Sequence, residues 1–214
     1  MNETLRKIGE LGIVPVIAIE DANDAPRLGR ALLAGGLPCA EITFRTAAAV
    51  EAMRAMTATC PDVMVGAGTV LTVAQAEAAK EAGATFVVTP GFDAAVVDWC
   101  IENDMPITPG VLTPTEINMA LNKGLTVLKF FPAEAGGGVK TLKAIAGPYQ
   151  DVKFIPTGGI SAANLPDYLS LSSVHACGGS WMVKKQLIAE GEFEQITSMC
   201  AEAVALAQQI RQGV

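Results

Sequence analysis

The chain has 214 residues, of which 50% are hydrophobic, and its 15 basic and 22 acidic residues give a formal charge of −7. This acidic balance argues against nucleic acid or an anionic membrane as the main partner, and it is compatible with a small anionic ligand. The N-terminal stretch is charged and no long apolar run follows, so the pattern predicts neither a signal peptide nor a membrane span. We therefore expect a soluble, cytoplasmic protein.

The cysteines and the single histidine predict neither a disulfide framework nor a metal site. The cysteines number five, are scattered and form no Cys-x-x-Cys motif, which suits a reducing compartment. His175 lies in an apolar run and is interpreted as a core histidine with satisfied hydrogen bonds. A metal site normally needs several His or Cys ligands. We therefore expect no metal and no cofactor.

Strand and helix patterns alternate along the chain after a short first helix over residues 4–11. The predicted strands cover residues 14–19, 39–44, 63–69, 86–90, 106–111, 127–132, 153–159 and 174–180. The predicted helices that follow them cover residues 21–35, 47–59, 73–82, 94–103, 114–122, 139–146, 162–169 and 193–210. The strands begin about 20 to 26 residues apart, a spacing typical of parallel strands joined by helical crossovers.

Eight such repeats predict an α/β fold, a (β/α)8 TIM barrel with a short N-terminal helix. No linker or low-complexity segment divides the chain, so we expect a single barrel domain over residues 1–214. A doubly wound sheet is the alternative, but no Gly-x-Gly-x-x-Gly motif opens a helix after the first strand.

Charged residues occupy two predicted strands at positions that face the barrel interior. Glu41 and Arg45 share one face of the second strand, and Lys129 stands in the apolar sixth strand. Burial lowers the pKa of an amine, a neutral amine attacks carbonyl carbons, and a nearby carboxylate can move protons. Lys129 and Glu41 are therefore the candidate catalytic residues.

Arg45 is a candidate for binding a substrate carboxylate, because a guanidinium makes a planar two-point contact with such a group. Two structural alternatives stay open at this point. Lys129 on an edge strand would extend its amine into solvent. Independently of Lys129, Glu41 and Arg45 would form a structural ion pair that fills the barrel interior.

Glycine-rich turns at other strand ends predict substrate contacts. Thr69 ends the third strand beside two glycines and supplies a hydroxyl, and Pro90 ends the fourth strand as a wall of the site. Gly-Gly pairs end the seventh and eighth strands, where TIM barrels usually bind phosphate. The alternative is a pair of tight turns without a ligand. The residues of these two turns are Thr157, Gly158, Gly159, Gly178, Gly179 and Ser180.

Together these motifs resemble the 2-keto-3-deoxy-6-phosphogluconate aldolase family. The resemblance runs from about residue 14 to residue 181 and is more specific than any single motif. The segments that carry it are residues 41–46 (EITFRT), 66–69 (GAGT), 129–134 (KFFPAE), 156–159 (PTGG) and 178–181 (GGSW).

The resemblance implies a metal-independent class I aldolase. Such an enzyme cleaves the phosphorylated 2-keto acid 2-keto-3-deoxy-6-phosphogluconate to pyruvate and glyceraldehyde 3-phosphate, and often 4-hydroxy-2-oxoglutarate to pyruvate and glyoxylate. It implies that Lys129 forms the Schiff base, that Glu41 transfers protons and that the chain forms a homotrimer. The implied substrate-binding residues are Arg45 and Thr69 for the pyruvate carboxylate, Phe131 against the imine, Pro90 as a wall, and Thr157, Gly158, Gly159, Gly178, Gly179 and Ser180 around the phosphate.

Three alternative functions remain at this stage. A phosphosugar isomerase or epimerase on the same barrel would use the phosphate site without a covalent lysine. A sister aldolase for the galactonate epimer, or for non-phosphorylated 2-keto acids, would share the lysine. A non-catalytic binding or assembly barrel would leave the inward charges without a role, which would destabilise the fold.

Overall fold

A computed structural model describes residues 2–213 and has an α/β fold with parallel strands. The strands are β1 (Ile13–Ile17), β2 (Cys39–Thr43), β3 (Met64–Gly68), β4 (Val87–Val88), β5 (Ile107–Thr108), β6 (Gly110–Val111), β7 (Val127–Phe130), β8 (Lys153–Pro156) and β9 (Cys177–Gly179). The helices are α1 (Glu3–Leu11), α2 (Ala25–Ala34), α3 (Ala49–Thr59), α4 (Val73–Glu81), α5 (Ala94–Glu102), α6 (Pro114–Asn122), α7 (Gly138–Ala146), α8 (Leu165–Leu169), α9 (Lys185–Glu190) and α10 (Phe193–Gln212).

The strands form two parallel sheets that lie next to each other. One sheet has the order β5-β4-β3-β2-β1-β9, and the other has the order β6-β7-β8. Isolated parallel bridges, Phe154 with Val174 and Thr157 with Gly178, connect the second sheet to the segment around β9. At the opposite margins β5 and β6 are separated by Pro109 alone. All carboxyl ends of the strands therefore point in one direction, where loops can meet.

The predicted alternation of strands and helices is confirmed, and the differences have local causes. Pro109 divides the predicted fifth strand in two because proline has no N–H to donate to a ladder, although its carbonyl accepts from Lys129 N–H at 3.0 Å. The predicted helix over residues 162–169 begins only at Leu165. Asn164 binds Ser161 N–H and Gly159 O through its side chain, which holds the preceding residues in a turn. The short helix α9 and two 3-10 turns, Ala22–Asp24 and Trp181–Val183, were not predicted.

Apolar side chains fill two layers on either side of the strands. The outer layer packs the strands against the helices, with Ile42, Leu128 and Phe130 fully buried. A smaller inner cluster contains Ile8, Val14, Cys39, Phe86, Val88, Val127, Ile155 and Ala176. Helix α1 covers this cluster at the amino ends of the strands. The apolar interior thus occupies one end of the fold and leaves the other end to polar side chains.

The cysteines take the buried places expected of them, and His175 is hydrogen-bonded as expected but lies only partly in the core. Within residues 2–213 all five cysteines are free and buried. His175 is half-buried, with its Nε2 atom 2.7 Å from the carbonyl of Leu5 in α1, so it is hydrogen-bonded but not wholly enclosed. Burial lowers the pKa of His175.

No helix in the part of the chain from 2 to 213 combines the length and the apolar character that a membrane crossing requires.

The close packing around Gly66 leaves no room for an added methyl group, so a substitution there should lower the stability of the fold. A Cβ at Gly66 would lie 2.2 to 2.4 Å from three ring atoms of the buried Phe86. We expect Gly66→Ala to lower the free energy of unfolding by about 1–3 kcal/mol through overpacking. Urea denaturation measures this change.

Gly91→Ala is the matched control, because no atom lies within 4 Å of a Cβ at Gly91. It should change the free energy of unfolding by less than about 0.5 kcal/mol. Equal stabilities of the two variants would contradict the packing described here.

Candidate active site

Lys129 lies at the centre of β7 with its side chain inside the fold. It pairs with Gly110 of β6 on one side and with Ile155 of β8 on the other. Its neighbours Leu128 and Phe130 point to the helix layer and are fully buried. Only 4% of Lys129 is exposed, so its amine is not on a solvent-facing edge. The edge-strand interpretation of this lysine is therefore wrong.

Glu41 faces Lys129 from the other sheet. It stands in the middle of β2, paired with Val16 and Gly66, and is 3% exposed. Its Oε1 atom lies 3.9 Å from the Nζ atom of Lys129 and accepts no hydrogen bond within residues 2–213. Gly68 makes room for it, because a Cβ there would lie 2.3 Å from this oxygen. The carboxyl group is thus buried, close to the amine and incompletely satisfied.

Burial moves both members of this pair towards their neutral forms. It lowers the pKa of Lys129, and the positive charge of Arg45 lowers it further, while the charge of Glu41 opposes both. Burial raises the pKa of Glu41 against the opposing charges of Lys129 and Arg45. Both shifts favour the forms that carbonyl chemistry needs, a free amine that attacks the carbon and a carboxyl group that can give up a proton.

Arg45 lies above this pair at the carboxyl end of β2 and is exposed to solvent. Its Nε atom donates to the hydroxyl of Thr43 at 3.1 Å, and Thr43 in turn donates to the carbonyl of Ile17 at 2.7 Å. This chain of hydrogen bonds orients the guanidinium over the pocket without enclosing it. Arg45 is therefore placed to bind an anionic group that enters from solvent.

A small pocket of about 140 Å³ opens beside Lys129 at the carboxyl ends of the strands. The ring of Phe131 forms part of its wall, with its centroid 4.8 Å from the Nζ atom of Lys129. The pocket is lined by Val16, Arg45, Lys129, Phe131, Thr157, Gly158, Gly159, Ile160, Gly178, Gly179 and Ser180. The structure thus brings most of the predicted site residues into one cavity.

The glycine turns on the far side of this pocket require glycine. Gly158 and Gly159 have φ angles of 99° and 83°, which side chains rarely adopt. A Cβ at Gly178 would lie 2.3 Å from the hydroxyl oxygen of Thr157. Ser180 is exposed and precedes the 3-10 turn Trp181–Val183. The N–H groups at the start of such a turn have no acceptors within it, so they are available to an anion.

Three predicted site residues lie outside the lining of this pocket: Glu41, described above, Thr69 and Pro90. Thr69 follows β3 and has a φ angle of 57°, a left-handed conformation that is costly for a β-branched residue. Pro90 follows β4 and its carbonyl abuts Gly110. Thr69 stands at the carboxyl end of β3, the neighbour of β2, and Pro90 at that of β4, the next strand, on the opposite side of β2 from β1 and β9.

Sequence reasoning missed two apolar lining residues, Val16 and Ile160. Val16 shares its side of β1 with Val14, which belongs to the inner cluster, so the alternation along β1 contained the signal. Ile160 lies in an irregular turn, where no periodicity indicates direction.

No group of three or more His, Cys, Asp or Glu side chains that could hold a metal ion was found among the residues from 2 to 213. The polar groups at the pocket are an amine, a carboxyl group, a guanidinium, hydroxyls and backbone amides.

Comparison with known proteins identifies the family of this site. Residues 4–199 match the model of the family described as KDPG and KHG aldolase. A 2-dehydro-3-deoxy-phosphogluconate aldolase of Treponema pallidum is 50% identical over 194 residues, which are 91% of this chain and 92% of the relative. The KHG/KDPG aldolase of Escherichia coli K12 is 45% identical over 192 residues, 90% of each chain.

The fold also matches a solved structure of high similarity. A KDPG aldolase from Legionella pneumophila, with pyruvate captured at low pH as a covalent carbinolamine intermediate, superposes with a TM-score of 0.91. It is 38% identical, and the match covers 94% of this chain and 98% of the other.

Proposed function

The chain belongs to the KDPG and KHG aldolase family, and on that premise we propose that it cleaves 2-keto-3-deoxy-6-phosphogluconate to pyruvate and glyceraldehyde 3-phosphate through a Schiff base on Lys129. We propose the same chemistry for 4-hydroxy-2-oxoglutarate, which yields pyruvate and glyoxylate. The observation that carries the proposal is the buried amine of Lys129, 3.9 Å from the buried carboxyl group of Glu41. The covalent pyruvate adduct in the Legionella relative supports the same mechanism.

The first half of the reaction forms the imine. The neutral amine of Lys129 attacks the C2 carbonyl carbon and gives a carbinolamine. Glu41, whose pKa is raised by burial, donates a proton to the departing hydroxyl, so that water leaves and an iminium remains. Glu41 is then a carboxylate next to a positive iminium, an arrangement that stabilises both charges.

The second half of the reaction cleaves the C3–C4 bond and then hydrolyses the imine. The Glu41 carboxylate takes the proton of the C4 hydroxyl, directly or through a water molecule, and the electron pair of the C3–C4 bond passes into the iminium. The aldehyde leaves and an enamine remains on Lys129. Glu41 returns its proton to C3, which forms the iminium of pyruvate. Water then adds to C2, the Glu41 carboxylate takes up the proton that this addition releases, and collapse of the carbinolamine frees pyruvate and the neutral amine of Lys129.

The remaining site residues hold the two ends of the substrate. Arg45, with Thr69 on the neighbouring strand, binds the pyruvate carboxylate, and Phe131 packs against the imine. Pro90 forms a wall. The phosphate lies in the glycine turns, where backbone N–H groups donate hydrogen bonds to an anion. The phosphate residues are Thr157, Gly158, Gly159, Gly178, Gly179 and Ser180.

We propose that the two sheets form one closed (β/α)8 barrel, a single domain over residues 1–214. The isolated bridges on one side and the continuity through Pro109 on the other support closure. We further propose a cytoplasmic homotrimer that binds neither nucleic acid nor membrane. The exposed apolar side chains of Leu71, Ile101 and Met119 support a contact between subunits.

Two of the alternatives lose their support. The family match disfavours both an isomerase and a barrel without activity. An isomerase would also have no use for a buried lysine with a lowered pKa. A sister aldolase for the galactonate epimer would use the same lysine, so cleavage of the two epimers under identical conditions separates these candidates.

Borohydride trapping tests the Schiff base. Reduction in the presence of pyruvate should attach a pyruvyl group to the peptide that contains Lys129, as read by mass spectrometry. Lys129→Met should abolish both the adduct and the cleavage activity. Lys140→Met, at an exposed position of α7, is the matched control and should behave as the unaltered protein. An adduct on another lysine, or activity in Lys129→Met, would refute the proposed nucleophile.

Glu41→Gln tests proton transfer separately from attack. The amide keeps the shape of the side chain but cannot exchange protons, so we expect turnover to fall by about 10²- to 10⁴-fold. Adduct formation with pyruvate should persist at a reduced rate. Turnover at the original rate would show that Glu41 does not transfer the proton.

The lowered pKa of Lys129 predicts the pH dependence of trapping. Because the free amine is the nucleophile, the rate of adduct formation should rise with pH through the pKa of Lys129 and then level off. Since that pKa is lowered, the rise should occur below the ordinary value of 10.5. A stopped-flow or quench series across pH measures it, and an inflection near 10.5 would contradict the burial argument.

A further inference from the structure

Glu134 and Tyr168 form a hydrogen-bonded pair behind the glycine turn of residues 158–159. Glu134 lies in the loop after β7, and Tyr168 is a fully buried residue of α8. The hydroxyl of Tyr168 donates to the Oε1 atom of Glu134. Neither residue lines the pocket beside Lys129, and the catalytic steps above use neither of them. A carboxylate held next to an anion-binding turn therefore has no role so far.

Backbone hydrogen bonds fasten the loop after β7 to the glycine turn. The N–H of Glu134 donates to the carbonyl of Gly158 at 3.1 Å, and the N–H of Ala133 donates to the carbonyl of Thr157 at 2.8 Å. The side chain of Glu134 continues this contact, because a Cβ at Gly159 would lie 2.6 Å from its Cγ atom. The position of Glu134 thus limits the position of the turn.

Tyr168 fixes the other end of the Glu134 side chain. The Oε1 atom of Glu134 and the hydroxyl of Tyr168 each lie 3.3 Å from the place of a Cβ at Gly138, the first residue of α7. Burial raises the pKa of Tyr168, as does the neighbouring carboxylate, so the hydroxyl keeps its proton and remains a donor. The pair therefore joins the loop after β7, the start of α7 and helix α8 at one point.

We propose that Tyr168 and Glu134 are positioning residues that hold the turn of residues 158–159 in the shape that accepts the phosphoryl group, and thereby set the preference for phosphorylated over non-phosphorylated substrates. This inference rests on the proposed function of the site. The bond also keeps the Glu134 carboxylate directed at Tyr168, where it repels a bound phosphate less than a free carboxylate would.

The same geometry predicts that the pair leaves the covalent chemistry unaffected. Lys129 is held by ladder pairing to Gly110 and Ile155, and Glu41 by pairing within the other sheet. None of these contacts passes through Tyr168. Loss of its hydroxyl should therefore change recognition of the phosphoryl group alone.

Tyr168→Phe provides the test, with kcat and KM measured on 2-keto-3-deoxy-6-phosphogluconate and on 4-hydroxy-2-oxoglutarate. Removal of a hydrogen bond to a charged group should raise KM for the phosphorylated substrate by about tenfold, with kcat little changed. The kinetics on 4-hydroxy-2-oxoglutarate and the pyruvate adduct on Lys129 should stay as in the unaltered protein.

Two further variants complete the experiment. Glu134→Gln retains an oxygen that accepts from Tyr168, so its KM for the phosphorylated substrate should rise less than the KM of Glu134→Ala. Both substitutions are made at a position that is exposed to solvent. Tyr149→Phe is the matched control, because its hydroxyl bonds only to Pro114 and Asn118 among residues 2–213. Tyr149→Phe should leave kcat and KM unchanged for both substrates.

The outcomes are distinguishable. Equal losses on both substrates, or no change on either, would overturn the proposal, and thermal unfolding of each variant identifies a general loss of structure. If Tyr168→Phe does not fold, the comparison of Glu134→Gln with Glu134→Ala decides. Failure of the proposed function itself would be visible in the unaltered protein, as absence of the pyruvate adduct and of cleavage.

Discussion

The fold depends on one costly interaction, the burial of Lys129 and Glu41 in a common interior. Two charges removed from water at this depth lose several kcal/mol of solvation each. The Nζ atom of Lys129 and the Oε1 atom of Glu41 are 3.9 Å apart, which is too far for a hydrogen bond that would compensate for this loss. The pair reduces the cost by moving towards its neutral forms. The proposed roles of Lys129 as nucleophile and Glu41 as proton donor require this same shift, so the energetic cost and the proposed chemistry have one origin.

The rest of the structure is arranged to tolerate this pair. Glu41 belongs to β2 in one sheet and Lys129 to β7 in the other, so their contact spans the interior. Gly68 leaves the space that the carboxyl group occupies, and Gly66 leaves the space of the Phe86 ring. The apolar cluster under α1 fills the opposite end and confines polar groups to the carboxyl ends of the strands.

Periodicity and composition were enough to predict the order of strands and helices, and a lysine inside an apolar strand was enough to single out Lys129. The glycine turns were also found, because their positions at strand ends are visible in the sequence. The division of the fifth strand at Pro109 and the late start of α8 were missed. The first results from the N–H that proline lacks and the second from two hydrogen bonds of the Asn164 side chain, and neither changes the apolar pattern. The pair of Glu134 and Tyr168 was missed because nothing in a linear pattern brings residues 34 positions apart together.

The placement of the lysine and the glycine turns on adjacent strands limits the length of the substrate that the site can hold. Neighbouring strands are about 4.8 Å apart, so the glycine turns after β8 and at β9, which we propose bind the phosphate, lie one and two strand spacings from β7, about 5 to 10 Å along the sheet. The hydrogen bonds between the strands therefore fix the distance between Lys129 and the glycine turns. Under the proposed function, a substrate can reach both ends only if the number of atoms between its ketone and its phosphate matches that spacing, which the backbone hydrogen bonds between the strands set.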